Sequence, residues 1–175
     1  PLFEWYYDQN LNGVCNHETR SHLMEDLKRY LFAGIYAEKF KRFPRLKDYE
    51  AYSSELMPDH VNALSGKFAD RFRVQMPDCA ATTVTSHISK DGHYFIHYDM
   101  DQCRSLTVRE AARIQTFPDN YLFCGSRTAQ YHQVGNAVPP FLAYQISQIV
   151  FNIFKKNKHI KFKNKNQKKA VTYTK

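Results

Sequence analysis

Cysteine is sparse in this 175-residue chain: Cys15, Cys79, Cys103 and Cys124 are scattered and never form a Cys-x-x-Cys pair. That excludes a zinc ribbon or a dense disulfide framework and predicts a reduced, cytosolic setting. Glycine is also scarce. The 6 glycines never cluster, so the chain lacks the glycine-rich strand-to-helix turn that cradles phosphates and nucleotides. No apolar run approaches the roughly eighteen residues of a membrane span, and PLFEWYYDQN has neither the basic start nor the apolar stretch of a secretory signal. No membrane partner is expected, and a start without Met reads as an internal segment. Acidic residues are missing from residues 155–175, which hold 9 Lys, whereas residues 1–154 hold 16 Lys and Arg against 17 acids. The net charge of +8 is therefore a property of the tail, expected to be disordered and to add only unspecific phosphate attraction. CNHETRSH offers Cys15, His17 and His22, but the five-residue step between the histidines does not align them on a helix face, so no metal site is expected.

What the chain does hold is 43% hydrophobic residues, enough for one domain or part of a larger one. HLMEDLKRYLFAGIYAEKFKRF predicts an amphipathic helix over 22–43, with Leu23, Leu27, Tyr30, Leu31 and Ile35 inward and with Glu25 to Arg29 and Glu38 to Arg42 as i,i+4 ion pairs. FPRLKDYEAYSSELMPDH reads as loop with one short helical turn. The period then changes to two: Phe72, Val74 and Met76 alternate with Arg71, Arg73 and Gln75. The β-branched run ATTVTSHIS, followed by Asp91 and Gly92 and then HYFIHYD, predicts a hairpin.

Beyond Cys103 the helical signal returns. In SLTVREAARIQTFPD, Thr107 and Glu110 have capping-box spacing, Arg109 and Arg113 share a face, and Pro118 stops the helix near Thr116. In QYHQVGNAVPPF, Gly135 and Asn136 mark a turn. Pro140 suits the first turn of a last helix whose stripe is Leu142, Ile146, Ile149, Val150 and Ile153.

Two segments, RSLTVREAARIQTFPDNYLFCGS and QYHQVGNAVPPFLA, resemble the last two signature blocks of the DNA (cytosine-5)-methyltransferases, in the family's order and spacing. The resemblance implies an α/β architecture, the C-terminal part of an S-adenosylmethionine-dependent methyltransferase fold. Residues 1–102 would be a small mixed α/β target-recognition region with antiparallel hairpins, residues 103–129 a bracing helix and loop, and residues 130–154 a cofactor-closing turn and C-terminal helix. Residues 155–175 would be the Lys-rich tail. The last helix would pack on a doubly wound cofactor domain not present in this sequence. Asn136 and Ala137 would contact S-adenosylmethionine, with Gly135 allowing close backbone approach or positive φ. Arg104, Thr107, Arg109, Glu110, Arg113, Gln133, Gly135 and Pro140 would be architectural. Double-stranded DNA would be read from Arg71, Arg73, Ser86, His87, Lys90 and His93, although alternating polar residues equally describe a solvated face.

The same resemblance implies a Cys thiolate, in a Pro-Cys-Gln segment, attacking C6 of a flipped cytosine. Here Cys15 follows Val, Cys79 Asp, Cys103 Gln and Cys124 Phe, so no catalytic residue carries over, and the Glu-Asn-Val segment is missing too. The chain is expected to be inert by itself, needing an N-terminal methyltransferase part or subunit. Two rivals stand beside this reading. In a non-enzymatic DNA-binding module, SLTVREAARIQTFPDNY would be the first helix of a helix-turn-helix, but FPDNYLFCGSRT shows no helical period for a second. In a protein-docking domain, only the apolar last helix would matter.

Overall fold

A computed structural model describes residues 2–59 and 70–156. Two units divide the chain, one ending at Phe141 and the other beginning at Leu142. In the first, α1 is Leu2–Tyr6, α2 Met24–Phe40, α3 Leu46–Tyr52, α4 Val108–Ile114 and α5 Arg127–Asn136, with 3₁₀ turns at Ser54–Leu56 and Ser86–Ser89. Helix α6, Pro140–Lys156, supplies the described residues of the second unit.

The first unit has two apolar clusters. Tyr30, Ala33, Ala37, Tyr49, Phe72 and Ile96 belong to one, built between α2, α3 and the extended segments. Val84, Ile88, Phe95, Ala111, Phe123 and Val134 belong to the other, built on α4 and α5. Helix α2 forms where expected, but a different face is inward. Leu31 and Ile35 are 44% and 49% exposed, while Tyr30, Ala33, Gly34 and Ala37 are buried. Small residues explain the turn of the helix: a Cβ on Gly34 would lie 3.0 Å from Met100 Cβ, so the neighbouring segment packs close only along this stripe. The expected ion-pair partners are also different. Arg29 pairs with Asp26 at 2.8 Å and Arg42 with Asp48 at 3.1 Å, because each Arg also turns toward backbone or ring partners outside the i,i+4 row. Burial fits these choices, since Arg29 is buried and donates to the Leu56 carbonyl.

The expected antiparallel hairpin is absent among the described residues. Asp91 and Gly92 do turn the chain, with Gly92 at φ +79° and the His93 N–H donating to Asp91 Oδ1 at 3.0 Å. The preceding β-branched run, however, buries Val84 and Ile88, four residues apart, and coils into the 3₁₀ turn Ser86–Ser89. A spacing of four satisfies a turn, whereas a strand would need two. Among the described residues, extended pairing is confined to two bridges at Ile96, parallel to Val74 and antiparallel to Ser105. Segments 73–75, 95–97 and 104–106 thus meet at one buried residue, through bonds such as Ile96 N–H to Arg73 O and Leu106 N–H to Phe95 O.

Helix α5 replaces what the sequence presents as a turn. Ser126 caps it by accepting from Ala129 N–H, and Tyr131 and Val134 are its buried face. The turn itself occupies residues 137–139. Helix α6 starts at Pro140 as expected, and its stripe residues are 41% to 62% exposed. Within the stretch Arg127–Lys156 one 18-residue window is apolar enough by composition to resemble a membrane span, which alone is weak evidence of one. The helix is nevertheless broken at residues 137–139. The Lys-rich tail beyond residue 156 lies outside the described residues.

Candidate functional site

Helix α4 begins with the expected capping box: Glu110 N–H donates to Thr107 Oγ1 at 3.2 Å, and Thr107 N–H donates to Glu110 Oε2 at 2.7 Å. The same carboxylate receives Arg104 in a fork, Nη1 to Oε2 at 2.7 Å and Nη2 to Oε1 at 2.8 Å. Burial pushes the Glu110 carboxyl upward, but Arg104, the Thr107 amide and His97 outweigh it and hold it at about 2. Arg109 is 1% exposed and ties distant chain together, donating to the carbonyls of Cys15 at 3.0 Å, Pro118 at 3.1 Å and Tyr121. Arg113 instead reaches Asp119 with two bonds of 2.8 and 2.7 Å.

Gln115, which belongs to none of the roles expected from the sequence, caps α4 from inside the protein. Its Nε2 lies within 3.3 Å of Val84 O, 3.2 Å of Val134 O and 3.4 Å of Ala137 O. Three carbonyls around one terminus identify that terminus as the NH₂ group, since an amide oxygen there would be repelled. A signal existed in the sequence. Val108, Ala111, Ala112 and Gln115 share the 3–4 spacing of one helix face, so a polar side chain sits in line with buried apolar ones.

Gly135 makes the closest contact of this region. A Cβ there would lie 2.5 Å from Ser86 N, Thr85 C and Thr85 O, all backbone. The glycine therefore serves close approach between α5 and the 3₁₀ turn. Ser89 Oγ to His132 Nε2 at 3.1 Å links the same two elements. Arg20, stacked on the Tyr131 ring at 3.9 Å, donates to Ile88 O at 2.7 Å and Lys90 O at 3.3 Å, strapping the turn onto α5. Asn136, the last residue of α5, is exposed, Ala137 is half-buried, and Gln133 donates to Cys124 O at 2.9 Å. Phe141 N–H, in the first turn of α6, is accepted by Thr116 Oγ1 at 3.1 Å, next to the half-buried Pro140.

The residues expected to face DNA are not equivalent. His87 and Lys90 are exposed and Ser86 is half-buried, all on or beside the 3₁₀ turn. Arg71 is held by Asp91 at 2.6 Å, and Arg73 by Asp70 while its guanidinium stacks over Phe43 and Tyr94. His93 departs from the expectation. It is 6% exposed, its Nδ1 is 2.7 Å from the Tyr30 hydroxyl, and burial lowers its pKa against the pull of Asp91 and Asp26. Tyr94, next to His93 in sequence, lines a cleft of 240 Å³ with Arg73, Thr82, Thr83, Thr85 and His87. Cys15, His17 and His22 go to separate partners: Arg109 Nη2 at 2.9 Å, Thr107 Oγ1 at 2.9 Å and Ser105 Oγ at 3.1 Å.

A family model described as C-5 cytosine-specific DNA methylase matches residues 8–152, most of the chain. The chain belongs to this family. Type II methyltransferase M.Bpa9945I of Bacillus paralicheniformis is 48% identical over 141 residues, covering 81% of this chain and 30% of that protein. Type II methyltransferase M1.HphI of Haemophilus parahaemolyticus is 31% identical over 140 residues, 80% of this chain and 32% of its own length. DNA (cytosine-5)-methyltransferase 1B of Oryza sativa subsp. japonica is 54% identical over 48 residues, 27% of this chain and 3% of that protein. The chain spans less than a third of the length of the first two relatives. No solved structure matches it.

Proposed function

We propose that this chain is the DNA-recognising and cofactor-site-completing part of a DNA (cytosine-5)-methyltransferase that acts in a restriction-modification setting and moves a methyl group from S-adenosylmethionine to C5 of cytosine in duplex DNA. One observation supports this reading best: Gly135 seats the motif helix α5 directly on the backbone of Thr85 and Ser86. A single corner therefore carries Asn136 and Ala137 together with the turn that bears His87 and Lys90.

Asn136 fits the edge of a cofactor site. Its exposed carboxamide stands at the C-terminal end of α5, where the aligned peptide dipoles leave partial negative charge, suited to a positively charged methyl donor. S-adenosylmethionine, when bound, supplies the methyl group; Asn136 and Ala137 hold its edge, and an N-terminal part supplies the remainder of the pocket and the thiol nucleophile. The stripe of Leu142, Ile146, Ile149, Val150 and Ile153 on α6 docks on that doubly wound part, an apolar face of the kind that marks an interface. Residues 1–102 form the recognition region, in which the cleft between Tyr94 and His87 takes DNA, with Arg71, Arg73, Ser86 and Lys90 around it. Arg104, Thr107, Arg109, Glu110, Arg113, Gln133 and Pro140 hold these parts in place without touching reactants.

The test is reconstitution. Mixing or fusing this chain with an N-terminal part that carries a Pro-Cys-Gln segment is expected to restore transfer of labelled methyl groups to DNA, while the chain alone shows none. Asn136→Ala should weaken cofactor binding by the assembly without changing the chain's solubility. A partner that folds, binds cofactor and associates with this chain, yet never methylates DNA, sinks the reading.

A further inference from the structure

Gln115 lies at the meeting point of the two halves of the proposed site. Its NH₂ group is shared among Val84 O, one residue before the stretch that contacts Gly135; Val134 O, in the last turn of α5; and Ala137 O, in the turn that follows. Gln115 itself is 7% exposed, so these bonds form away from competing water. Two N–H groups divided among three carbonyls are redistributed when any one of the three moves, so a displaced Val84 O changes the bonds made to Val134 O and Ala137 O. A shift of residues 84–86 is therefore felt at residues 134–137, and Gly135 closes the second link, backbone against backbone.

We infer that Gln115 is a positioning residue that couples occupancy of the cofactor-side turn at Asn136 and Ala137 to the placement of the DNA-side turn at residues 86–90. This rests on the function proposed above and adds its internal connection. Neither ligand touches Gln115; both act through backbone that it holds.

Coupling has a reciprocal thermodynamic signature: if bound cofactor fixes the turn that meets DNA, it tightens DNA binding, and DNA tightens cofactor binding by the same factor. In the reconstituted enzyme, DNA affinity is measured with and without S-adenosylhomocysteine as the cofactor-site probe. The unsubstituted protein is expected to show a tightening of about fivefold or more. Gln115→Met, similar in length but without donors, should bring that ratio close to one. Tyr131→Phe serves as the reference for plain loss of stability, because it removes a buried bond to Leu106 O without touching the three carbonyls, and it should keep the ratio. An unchanged ratio in Gln115→Met, or a ratio of one in the unsubstituted enzyme that does methylate DNA, overturns the inference. A second measurement is independent of reconstitution. In the full 175-residue chain, Gln115→Met should move the amide resonances of residues 85–89 and 136–138 together, and Tyr131→Phe should not. Resonances that stay put, or that move in one segment only, refute the link even if no methylation is ever restored. Failure of the unsubstituted assembly to methylate, by contrast, counts against the proposed function.

Discussion

Gly135→Ala gives opposite expectations depending on whether the glycine is there for backbone freedom in a helix or for contact. If the residue were an ordinary helical glycine, alanine would stabilise α5 by roughly 0.8–1 kcal/mol through propensity alone. The structure sets a larger steric penalty against that gain. The new Cβ would approach Ser86 N, Thr85 C and Thr85 O at 2.5 Å, about 1 Å inside an ordinary carbon contact of 3.5–4.0 Å. All three atoms are backbone, so no rotamer change relieves the clash. The 3₁₀ turn must lift from α5, straining the bonds of Arg20 to Ile88 O and of Ser89 to His132. Overpacking of this kind costs roughly 1–3 kcal/mol. Three simultaneous backbone clashes place this case at the upper end, leaving a net loss of about 2 kcal/mol after the propensity gain. For a chain of this size that corresponds to a melting temperature lower by about 4–8 °C. Thermal and urea unfolding of the variant beside the unsubstituted chain measure it. An unchanged or raised midpoint refutes the claim that Gly135 is a contact residue.

Two further outcomes follow from the charged groups. Glu110→Gln removes the charge that accepts Arg104, and should destabilise by roughly 3 kcal/mol at neutral pH, the low end for a broken buried pair because Glu110 is only partly buried. The Glu110 carboxyl is held at about 2, below its usual range, so its stabilisation is present above pH 4.5 and lost as pH falls toward 2. The gap between Glu110→Gln and the unsubstituted chain in urea midpoints should close over that window, and a constant gap refutes the assignment. The histidines act at higher pH. Burial and Arg20 push His22 down to about 4, and burial lowers His93 as well, so below pH 6.5 the unfolded chain binds more protons at these rings than the folded one. Stability is fully present above pH 6.5 and falls as pH drops toward 4. The His22 contribution should be roughly half the one-proton ceiling of about 1.4 kcal/mol per pH unit, since the ring is half open to solvent. His22→Asn should flatten that slope in a pH series of urea midpoints, and an unaltered slope argues against His22 as its source.

Sequence and structure agree where the deciding interactions are local. The capping box needs only Thr107 and Glu110, three residues apart, and Pro140 opens α6 through its own missing N–H. Disagreement begins where a partner far along the chain decides. The large apolar residues of α2 pointed to one face, but the available space was beside Gly34, where Met100 arrives. The run around Val84 had strand composition, yet its burial spacing of four and the fit of Gly135 against Thr85 made it a turn. Helix α5 was hidden by its polarity, because only Tyr131 and Val134 are buried in its ten residues. Of the residues singled out from the sequence, His87, Lys90 and Asn136 are exposed and Ala137 half-buried. The burial of His93 was not legible, because it depends on Tyr30, far away in sequence.

These disagreements share a cause. With extended pairing among the described residues reduced to two bridges at Ile96, these residues have little regular sheet to satisfy their backbone carbonyls. Buried side-chain donors satisfy them instead, with Arg109 serving Cys15, Pro118 and Tyr121, Gln115 serving Val84, Val134 and Ala137, and Arg29 serving Leu56 and Met57. A ladder spreads register over many equivalent bonds, whereas here single side chains fix where whole segments lie. Polar residues inside a signature block can therefore determine the geometry of a site without touching a reactant. Truncating one of them withdraws a donor from several carbonyls at once, which costs more than the loss of a single surface hydrogen bond.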